Sequence, residues 1–231
     1  MDACEVKLAR CVAQRRGIAE RNCGGGPCDI VFVGDSLLET LLGRGCFTGG
    51  RLFADSAQAY RELVVSRHPK SMVLAGSGDE TQQTLHLLDT ALPVLKAPKL
   101  FVVMIGTNNV PKGGAAGALR GIRAVVGRLH KEHPTTPVLL HTLLPRADDG
   151  ERRFFQAHID EVNAELPALV GVARAAGAPV ELVDCSGALH RDLPQLTEHY
   201  YDGVHLRAVG YRAWLSCLVP KLDRAVAAAE R

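Results

Sequence analysis

Residues 29–38 read Asp-Ile-Val-Phe-Val-Gly-Asp-Ser-Leu-Leu, and this stretch decides the fold. Four consecutive apolar residues, mostly β-branched, predict a buried parallel strand that ends in a tight turn. The apolar spacing of residues 37–42 predicts a helix, so Ser36 lies where the strand gives way to the helix. Ligands of open parallel sheets bind outside the carboxyl ends of the strands. Ser36 is therefore either an exposed nucleophile or the N-cap of the helix, and this stretch alone leaves both interpretations open.

Length and composition indicate an ordinary globular chain of 231 residues, 47% hydrophobic and 23% charged, which suits one α/β domain. A net charge of +2, without a stripe of basic and aromatic residues, argues against a nucleic-acid partner. The apolar runs are strand-sized, whereas a membrane-spanning helix needs ~20 apolar residues. Residues 1–21 lack the apolar block of a signal peptide, and we therefore expect a cytoplasmic protein without a transmembrane segment.

The cysteines are seven in number and scattered along the chain. Without a secretory signal, free thiols are expected rather than a disulfide framework. Cys23 and Cys28 could form half of a zinc site, but no second pair of ligands follows at a suitable spacing. We therefore expect no metal at these cysteines, and the serine chemistry considered below needs no metal or other cofactor.

Five apolar segments predict strands, at residues 30–33, 71–75, 100–105, 138–142 and 180–183. Helix-length segments separate them, and this alternation predicts a doubly wound parallel sheet with right-handed crossovers. Two local features add detail: Asp55 is a predicted N-cap, and a loop rich in Gly and Ala is predicted to lead into a helix that begins near Ala118. Residues 1–27 are expected to be an N-terminal helical extension and residues 28–231 a single domain.

Polar turns follow three of the predicted strands, and a fourth polar element lies near the C-terminus. Serine hydrolysis of an ester needs a nucleophile, a base, a group that orients the base, and donors for the oxyanion. Each requirement has a candidate: Ser36 as nucleophile, His205 as base, and Asp202 to hold the imidazole. The candidate oxyanion donors are the N–H groups of Ser36 and Gly76 and the side-chain amide of Asn108.

The order of these four blocks resembles the GDSL, or SGNH, hydrolase superfamily. A closer likeness, to the catalytic subunits of type I (intracellular) platelet-activating-factor acetylhydrolase, rests on residues 31–36, 105–109, 143–146 and 205–211. The likeness extends over about residues 29–222. It implies a flavodoxin-like three-layer α/β/α sandwich whose five parallel strands follow the order 2-1-3-4-5, and, weakly, a homodimer. Carried over position by position, it implies the same triad, Ser36, Asp202 and His205, and the same oxyanion donors, Ser36, Gly76 and Asn108.

The chain also departs from that subfamily. The segment between Ser36 and Gly76 is longer, Leu74 and Asp79 replace residues typical of the Gly76 block, and the opening segment to Cys28 has no counterpart. The expected function is a serine esterase that cleaves short, acetyl-like carboxylic esters through an acyl-enzyme, with acetylated phospholipids among the candidate substrates. The alternatives are a carbohydrate acetylesterase, an acyl-thioesterase, or a binding or scaffold module without catalysis.

Overall fold

The structure is a computed structural model that describes residues 3–23, 25–43, 45, 54–146, 152–189 and 196–231. The strands are β1 (Ile30–Gly34), β2 (Met72–Ala75), β3 (Leu100–Met104), β4 (Val138–His141) and β5 (Val180–Val183). The α-helices are α1 (Ala3–Cys23), α2 (Ser36–Glu39), α3 (Ala54–Tyr60), α4 (Thr81–Ala91), α5 (Val110–Glu132), α6 (Arg152–Ala175), α7 (Leu196–His199) and α8 (Ala208–Ala229). Turns of 3₁₀-helix follow at Thr40–Leu42, Leu92–Val94 and Ser186–Ala188, and a π-helical turn, Arg61–Val65, continues α3.

The sheet has the strand order β2-β1-β3-β4-β5, and every neighbouring pair is parallel. Side chains of β1 alternate between two cores, with Val31 and Val33 in one and Ile30 and Phe32 in the other. Helices α1, α4, α5 and α6 supply the first core, whereas α2, α3 and α8 supply the second. The predicted three-layer, flavodoxin-like architecture is therefore confirmed.

Two local predictions are wrong. Helix α5 begins at Val110 rather than near Ala118, because the segment predicted as a loop is already helical and is interrupted only at Gly114, where φ is 58°. Asp55 is not an N-cap, because α3 begins one residue before it. Part of the predicted loop at residues 43–50 and of the irregular segment at residues 185–201 lies outside the described residues.

The cysteines correct another expectation. Two disulfides join Cys23 to Cys28 and Cys185 to Cys217, so the prediction of free thiols is wrong for these four residues. The first disulfide ties the end of α1 to the residues that lead into β1, and it replaces the zinc half-site that was considered there. Cys11 is a buried thiol of α1. None of the helices in the described part of the chain is long and apolar enough to cross a membrane.

The register of the sheet positions the polar turns. Gly34 pairs with Ala75 of β2 on one side and with Met104 of β3 on the other. The turns that follow these three strands therefore leave the same edge of the sheet at the same level. Neighbouring backbone comes so close here that a Cβ on Gly34 would lie 2.1 Å from the carbonyl oxygen of Met104. Between β1 and β3 the strand order reverses, which is where doubly wound sheets bind ligands.

Candidate active site

The turn after β1 places Ser36 as the first residue of α2. Asp35, not Ser36, caps this helix, because its carboxylate accepts a hydrogen bond from the Leu37 N–H at 3.0 Å. The interpretation of Ser36 as the N-cap is therefore wrong, and its role as nucleophile stays a prediction. The hydroxyl of the buried Tyr211 donates to the Leu37 carbonyl oxygen at 2.8 Å and fixes the turn from the other side. Burial raises the pKa of Asp35 to about 7.

The Ser36 hydroxyl meets the imidazole of His205, 169 residues further along the chain. Oγ of Ser36 lies 2.9 Å from Nε2 of His205, and Nδ1 of the same ring lies 2.7 Å from Oδ2 of Asp202. An ionised carboxylate only accepts hydrogen bonds, so Asp202 favours the tautomer with the proton on Nδ1. Nε2 is then the acceptor for the Ser36 hydroxyl, which is the arrangement that a general base requires.

The loop before α8 holds Asp202 and His205 in this orientation. An antiparallel bridge between Tyr200 and Leu206 closes the loop, and Oδ1 of Asp202 accepts hydrogen bonds from the backbone N–H groups of Val204 at 3.0 Å and His205 at 2.9 Å. Partial burial raises the pKa of Asp202, but these hydrogen bonds and the one from the imidazole outweigh burial and bring the pKa below its ordinary value. Asp202 is therefore ionised at neutral pH.

The predicted oxyanion donors lie on the turns after β1, β2 and β3. The Ser36 N–H is in the first turn of a helix, where backbone donors have no intrahelical partner. Gly76 directly follows β2, and a Cβ there would lie 2.8 Å from the Asp79 carboxyl. The Asn108 amide donates to the Asp79 carbonyl oxygen at 2.9 Å, a contact that uses one of its two hydrogens. The structure thus brings the predicted donors to one edge of the sheet, and their roles stay predictions.

The next residue, Asn109, has a different environment. Its Oδ1 accepts from the Thr81 N–H at 3.0 Å, and its Nδ2 donates to the Thr81 hydroxyl at 3.1 Å. Asn109 is buried and ties the start of α4 to the turn after β3. The two adjacent asparagines therefore have different contacts: Asn109 holds the start of α4, whereas Asn108 donates to the Asp79 carbonyl oxygen.

A buried charged cluster behind the Gly76 turn was not foreseen from the sequence. Arg15 of α1 forms an ion pair with Glu39 of α2, and its Nε donates to the Ala75 carbonyl oxygen at 2.9 Å. Glu39 in turn accepts from the Ser77 N–H at 2.9 Å and from the Ser77 hydroxyl. The only signal in the sequence was an arginine among the alternating charges of the first helix, which by itself resembles a solvated helix face.

Asp79 adds a second carboxyl to this region. Burial, together with the negative charges of Asp35 and Glu39, raises the pKa of Asp79 to about 8. Among the described residues, no hydrogen bond reaches its carboxyl group. Because the Asp79 carboxyl lies against Gly76 and the Asp79 carbonyl accepts from Asn108, the residue sits beside two of the predicted oxyanion donors.

Other titratable groups in the core are structural. His141 is buried, and burial lowers its pKa to about 4, so the ring is neutral. Its Nε2 accepts from the indole N–H of Trp214 at 2.9 Å. Within the described ranges, no group of three or more His, Cys, Asp or Glu side chains is arranged to hold a metal ion.

Comparisons with known proteins identify the family of this chain. The model of the GDSL-like Lipase/Acylhydrolase family matches residues 32–213. Among curated proteins, the human platelet-activating factor acetylhydrolase IB subunit alpha1 is 28% identical over 185 residues, which cover 79% of this chain and 70% of the relative.

Solved structures share the fold. A GDSL-like lipase from Bacteroides thetaiotaomicron superposes with a TM-score of 0.62 at 17% identity, over 85% of this chain and 88% of that structure. A carbohydrate acetylesterase family member from Sinorhizobium meliloti gives 0.59 at 23% identity, over 86% and 98%. The family match spans most of the chain, from β1 into α8. The chain therefore belongs to the GDSL-like lipase/acylhydrolase family and is, as a member of it, a carboxylic ester hydrolase.

Proposed function

We propose that this protein is a serine esterase that cleaves short acyl esters through an acyl-enzyme. The observation that carries the proposal is the continuous hydrogen-bond chain from the Ser36 hydroxyl through His205 to Asp202, with distances of 2.9 and 2.7 Å. Nucleophile, base and orienting carboxylate each have the partner that their role requires. A scaffold module has no physical need for such a chain, and this argues for catalysis over the binding alternative.

In the proposed acylation step, Ser36 Oγ attacks the ester carbonyl carbon while His205 Nε2 takes the hydroxyl proton. The bond to the alcohol oxygen then breaks, and His205 returns the proton to the leaving alcohol. In deacylation, water gives a proton to His205 and attacks the acyl carbon, the bond to Oγ breaks, and Ser36 recovers its proton. Asp202 keeps the imidazole in one tautomer and stabilises its cationic form in both steps.

The negative charge that develops on the carbonyl oxygen is stabilised, in this proposal, by the N–H groups of Ser36 and Gly76 and by the Asn108 amide. All three donors lie on rigid turns at strand ends, so they need no reorganisation when the charge forms. The proposed reaction consumes only water and the ester.

For the substrate we propose an acetyl ester, with acetylated phospholipids as the first class to test. The named relatives support the acyl group better than the alcohol: one is a platelet-activating factor acetylhydrolase subunit, and one structural neighbour is a carbohydrate acetylesterase family member. Both names refer to removal of an acetyl group, whereas the molecule that carries it is platelet-activating factor in the first name and a carbohydrate in the second. A carbohydrate acetylesterase is therefore the second candidate function, and an acyl-thioesterase is a further variant of the same chemistry.

Three expectations about the whole protein stay predictions: a homodimer, a cytoplasmic location, and a single catalytic domain at residues 28–231. The two disulfides bear on the location, because such bonds persist mainly in oxidising compartments. Alkylation of free thiols in freshly lysed cells, followed by mass spectrometry, would report whether the four paired cysteines are oxidised where the protein resides.

The experiment that tests the function compares hydrolysis of p-nitrophenyl acetate, butyrate and octanoate by the wild type and by Ser36→Ala. We expect turnover that is greatest with acetate and is lost in the variant, and labelling of the wild type alone by a fluorophosphonate probe. Acetylated phospholipid and acetylated sugar would then be compared as substrates. Absence of both turnover and labelling in the wild type would overturn the esterase proposal and favour a binding module.

A further inference from the structure

The first helix, α1, reaches the back of the proposed oxyanion hole. Arg15 projects from α1 and is only 2% exposed. Arg15, Gly76 and Asp79 line one small cavity together. The disulfide between Cys23 and Cys28 anchors the far end of α1 close to the start of β1. Helix α1 is thus fixed against the sheet on which the site is built.

The contacts of Arg15 bracket Gly76 on both sides. Before Gly76, the Ala75 carbonyl oxygen accepts from Arg15 Nε at 2.9 Å. After it, Ser77 donates both its N–H and its hydroxyl to Glu39, the carboxylate that Arg15 pairs with. The backbone on either side of the Gly76 N–H is therefore held by one guanidinium, directly on one side and through Glu39 on the other.

A buried charge pair at this position needs an explanation, because desolvation offsets much of its attraction and apolar residues of similar size commonly stabilise a fold as well. What such a pair provides, when all its hydrogen bonds are satisfied, is a fixed geometry. The fixed element here is a turn of three residues whose middle member offers the predicted oxyanion donor. Glu39 also belongs to α2, the helix that begins with Ser36, so the same pair links the donor to the nucleophile.

The region contains three carboxyl groups: Glu39, Asp79 and Asp35. Arg15 is the cation paired with the first, and its charge also acts on the second. Without the guanidinium, the buried Glu39 carboxylate would lose the cation that it pairs with, and negative charge would gather behind the place where the oxyanion is proposed to form. The positive charge of Arg15 offsets this negative charge.

We propose that Arg15 is a positioning residue of the oxyanion hole: through Ala75, Glu39 and Ser77 it fixes the Gly76 N–H in the orientation that the developing oxyanion requires. The inference rests on the proposed function. It also means that residues 1–27 contribute to the catalytic unit itself, because the guanidinium that orders the site comes from α1.

The test is Arg15→Gln, with Arg16→Gln as the matched control. Arg16 is the next residue on the same helix, and it forms an exposed ion pair with Glu20 instead of a buried one. We expect Arg15→Gln to lower kcat/KM for p-nitrophenyl acetate by roughly 10- to 100-fold, mainly through kcat, since misplacement of a group by about 1 Å can cost ~100-fold. Arg16→Gln should behave like the wild type.

Two further readouts separate positioning from a merely structural role. A trifluoromethyl ketone forms a tetrahedral adduct with the serine and places its oxyanion in the hole, so its inhibition constant should rise by about the factor lost in kcat/KM. In a double-mutant cycle with Asn108→Ala, the double variant should lose less than the product of the two single losses, because both changes weaken the same oxyanion contact. Fully multiplicative losses would overturn the proposal.

If Arg15→Gln does not fold, Arg15→Lys takes its place. The ammonium can pair with Glu39, but it lacks the planar fork that also reaches Ala75, so an intermediate loss in kcat is expected. If the wild type is active and a folded Arg15 variant is equally active, this inference is overturned and the proposed function stands. If neither the wild type nor Arg16→Gln turns over the ester, the proposed function is overturned, and the inference with it.

Discussion

Two pairs of titratable side chains flank the Ser36 turn, and they differ in their access to water. The Asp202 and His205 side chains are 54% and 30% exposed, whereas those of Arg15 and Glu39 are 2% and 1% exposed. The open pair contacts the serine hydroxyl; the buried pair contacts the backbone around Gly76. A base that accepts and returns protons must be reachable by substrate and water. A group that fixes a donor gains from burial, because a low dielectric strengthens its contacts and packing holds it still.

This contrast predicts different consequences of mutation. An exposed pair contributes about 0–1 kcal/mol to stability, so removal of the His205 side chain should act mainly on the rate. Loss of one partner from a buried pair leaves an uncompensated charge and commonly costs ~3–5 kcal/mol. Changes at Arg15 or Glu39 should therefore act on the rate and on stability together.

The largest expected effect is that of His205→Ala. Removing the base should lower kcat for p-nitrophenyl acetate by up to ~10⁶-fold, as loss of one triad member can do. The midpoint of thermal unfolding should change little, because the pair is exposed. His158→Ala is the matched control, since His158 pairs with Glu161 at the same spacing of three residues, in the reverse order. Retention of substantial activity by His205→Ala would remove His205 from the mechanism.

Asp202→Asn should have the next largest effect. The amide no longer selects the Nδ1 tautomer, so kcat should fall by about 10⁴-fold. The wild-type rate should be insensitive to Asp202 above pH ~4, because the pKa of this group lies below its ordinary value of 3.8. The stability that its hydrogen bonds contribute should be lost as the pH falls below that value. A kcat of Asp202→Asn within about tenfold of the wild-type value would contradict the assignment.

The adjacent asparagines sharpen the comparison between chemistry and scaffold. Asn108→Ala should lower kcat by ~100- to 1000-fold, the usual loss for one oxyanion donor, with a nearly unchanged unfolding midpoint. Asn109→Ala should instead lower the free energy of unfolding by ~1–3 kcal/mol, because the buried Thr81 N–H loses its acceptor. Kinetics and thermal melts of both variants test the division, and reversed effects would show that the oxyanion assignment belongs elsewhere.

The smallest expected effect concerns Asp79 and pH. With its pKa raised to about 8, Asp79 is neutral below that pH and ionises above it, which places a negative charge beside Gly76. We expect kcat/KM of the wild type to fall above pH 8 by several-fold relative to Asp79→Asn, whose side chain cannot ionise. If kcat/KM falls equally above pH 8 in the wild type and in Asp79→Asn, Asp79 does not act on the oxyanion.

Asp79 should also make the free energy of unfolding depend on pH. The folded state binds the Asp79 proton more tightly than the unfolded state, whose pKa is the ordinary 3.8. Stability from this group is therefore complete below pH ~4 and is lost as the pH rises towards 8. The free energy of unfolding of the wild type should fall over this window by more than that of Asp79→Asn, by at least about 1.4 kcal/mol, the value of one pKa unit. Urea titrations at pH 5 and pH 8 measure the difference.

The fold was predictable because its signals are local and strong. Runs such as residues 30–33 and 100–105 are apolar on both faces, and only a strand with helices on both sides buries such a segment. The predictions failed where a local signal competes with context. The Gly/Ala-rich segment at the start of α5 became helical because Pro111 suits the first turn of a helix and Gly114 absorbs the break. The cysteine pairs depended on distances across the fold, which residue counts do not contain.

The sequence by itself determined the sheet and the turns at the strand ends, because periodicity is written along the chain. The order of its motifs, through their resemblance to a known family, pointed to the candidate residues Ser36, Gly76, Asn108, Asp202 and His205. Only the tertiary structure decided that Asp35 caps α2, that Asn109 rather than Asn108 supports α4, and that Arg15 lies beneath the Gly76 turn. The physical reason is that burial and hydrogen bonding arise between segments distant in the chain. From the sequence, an arginine on a charged helix is predicted to lie at the surface, whereas packing of the helix against the sheet buries Arg15.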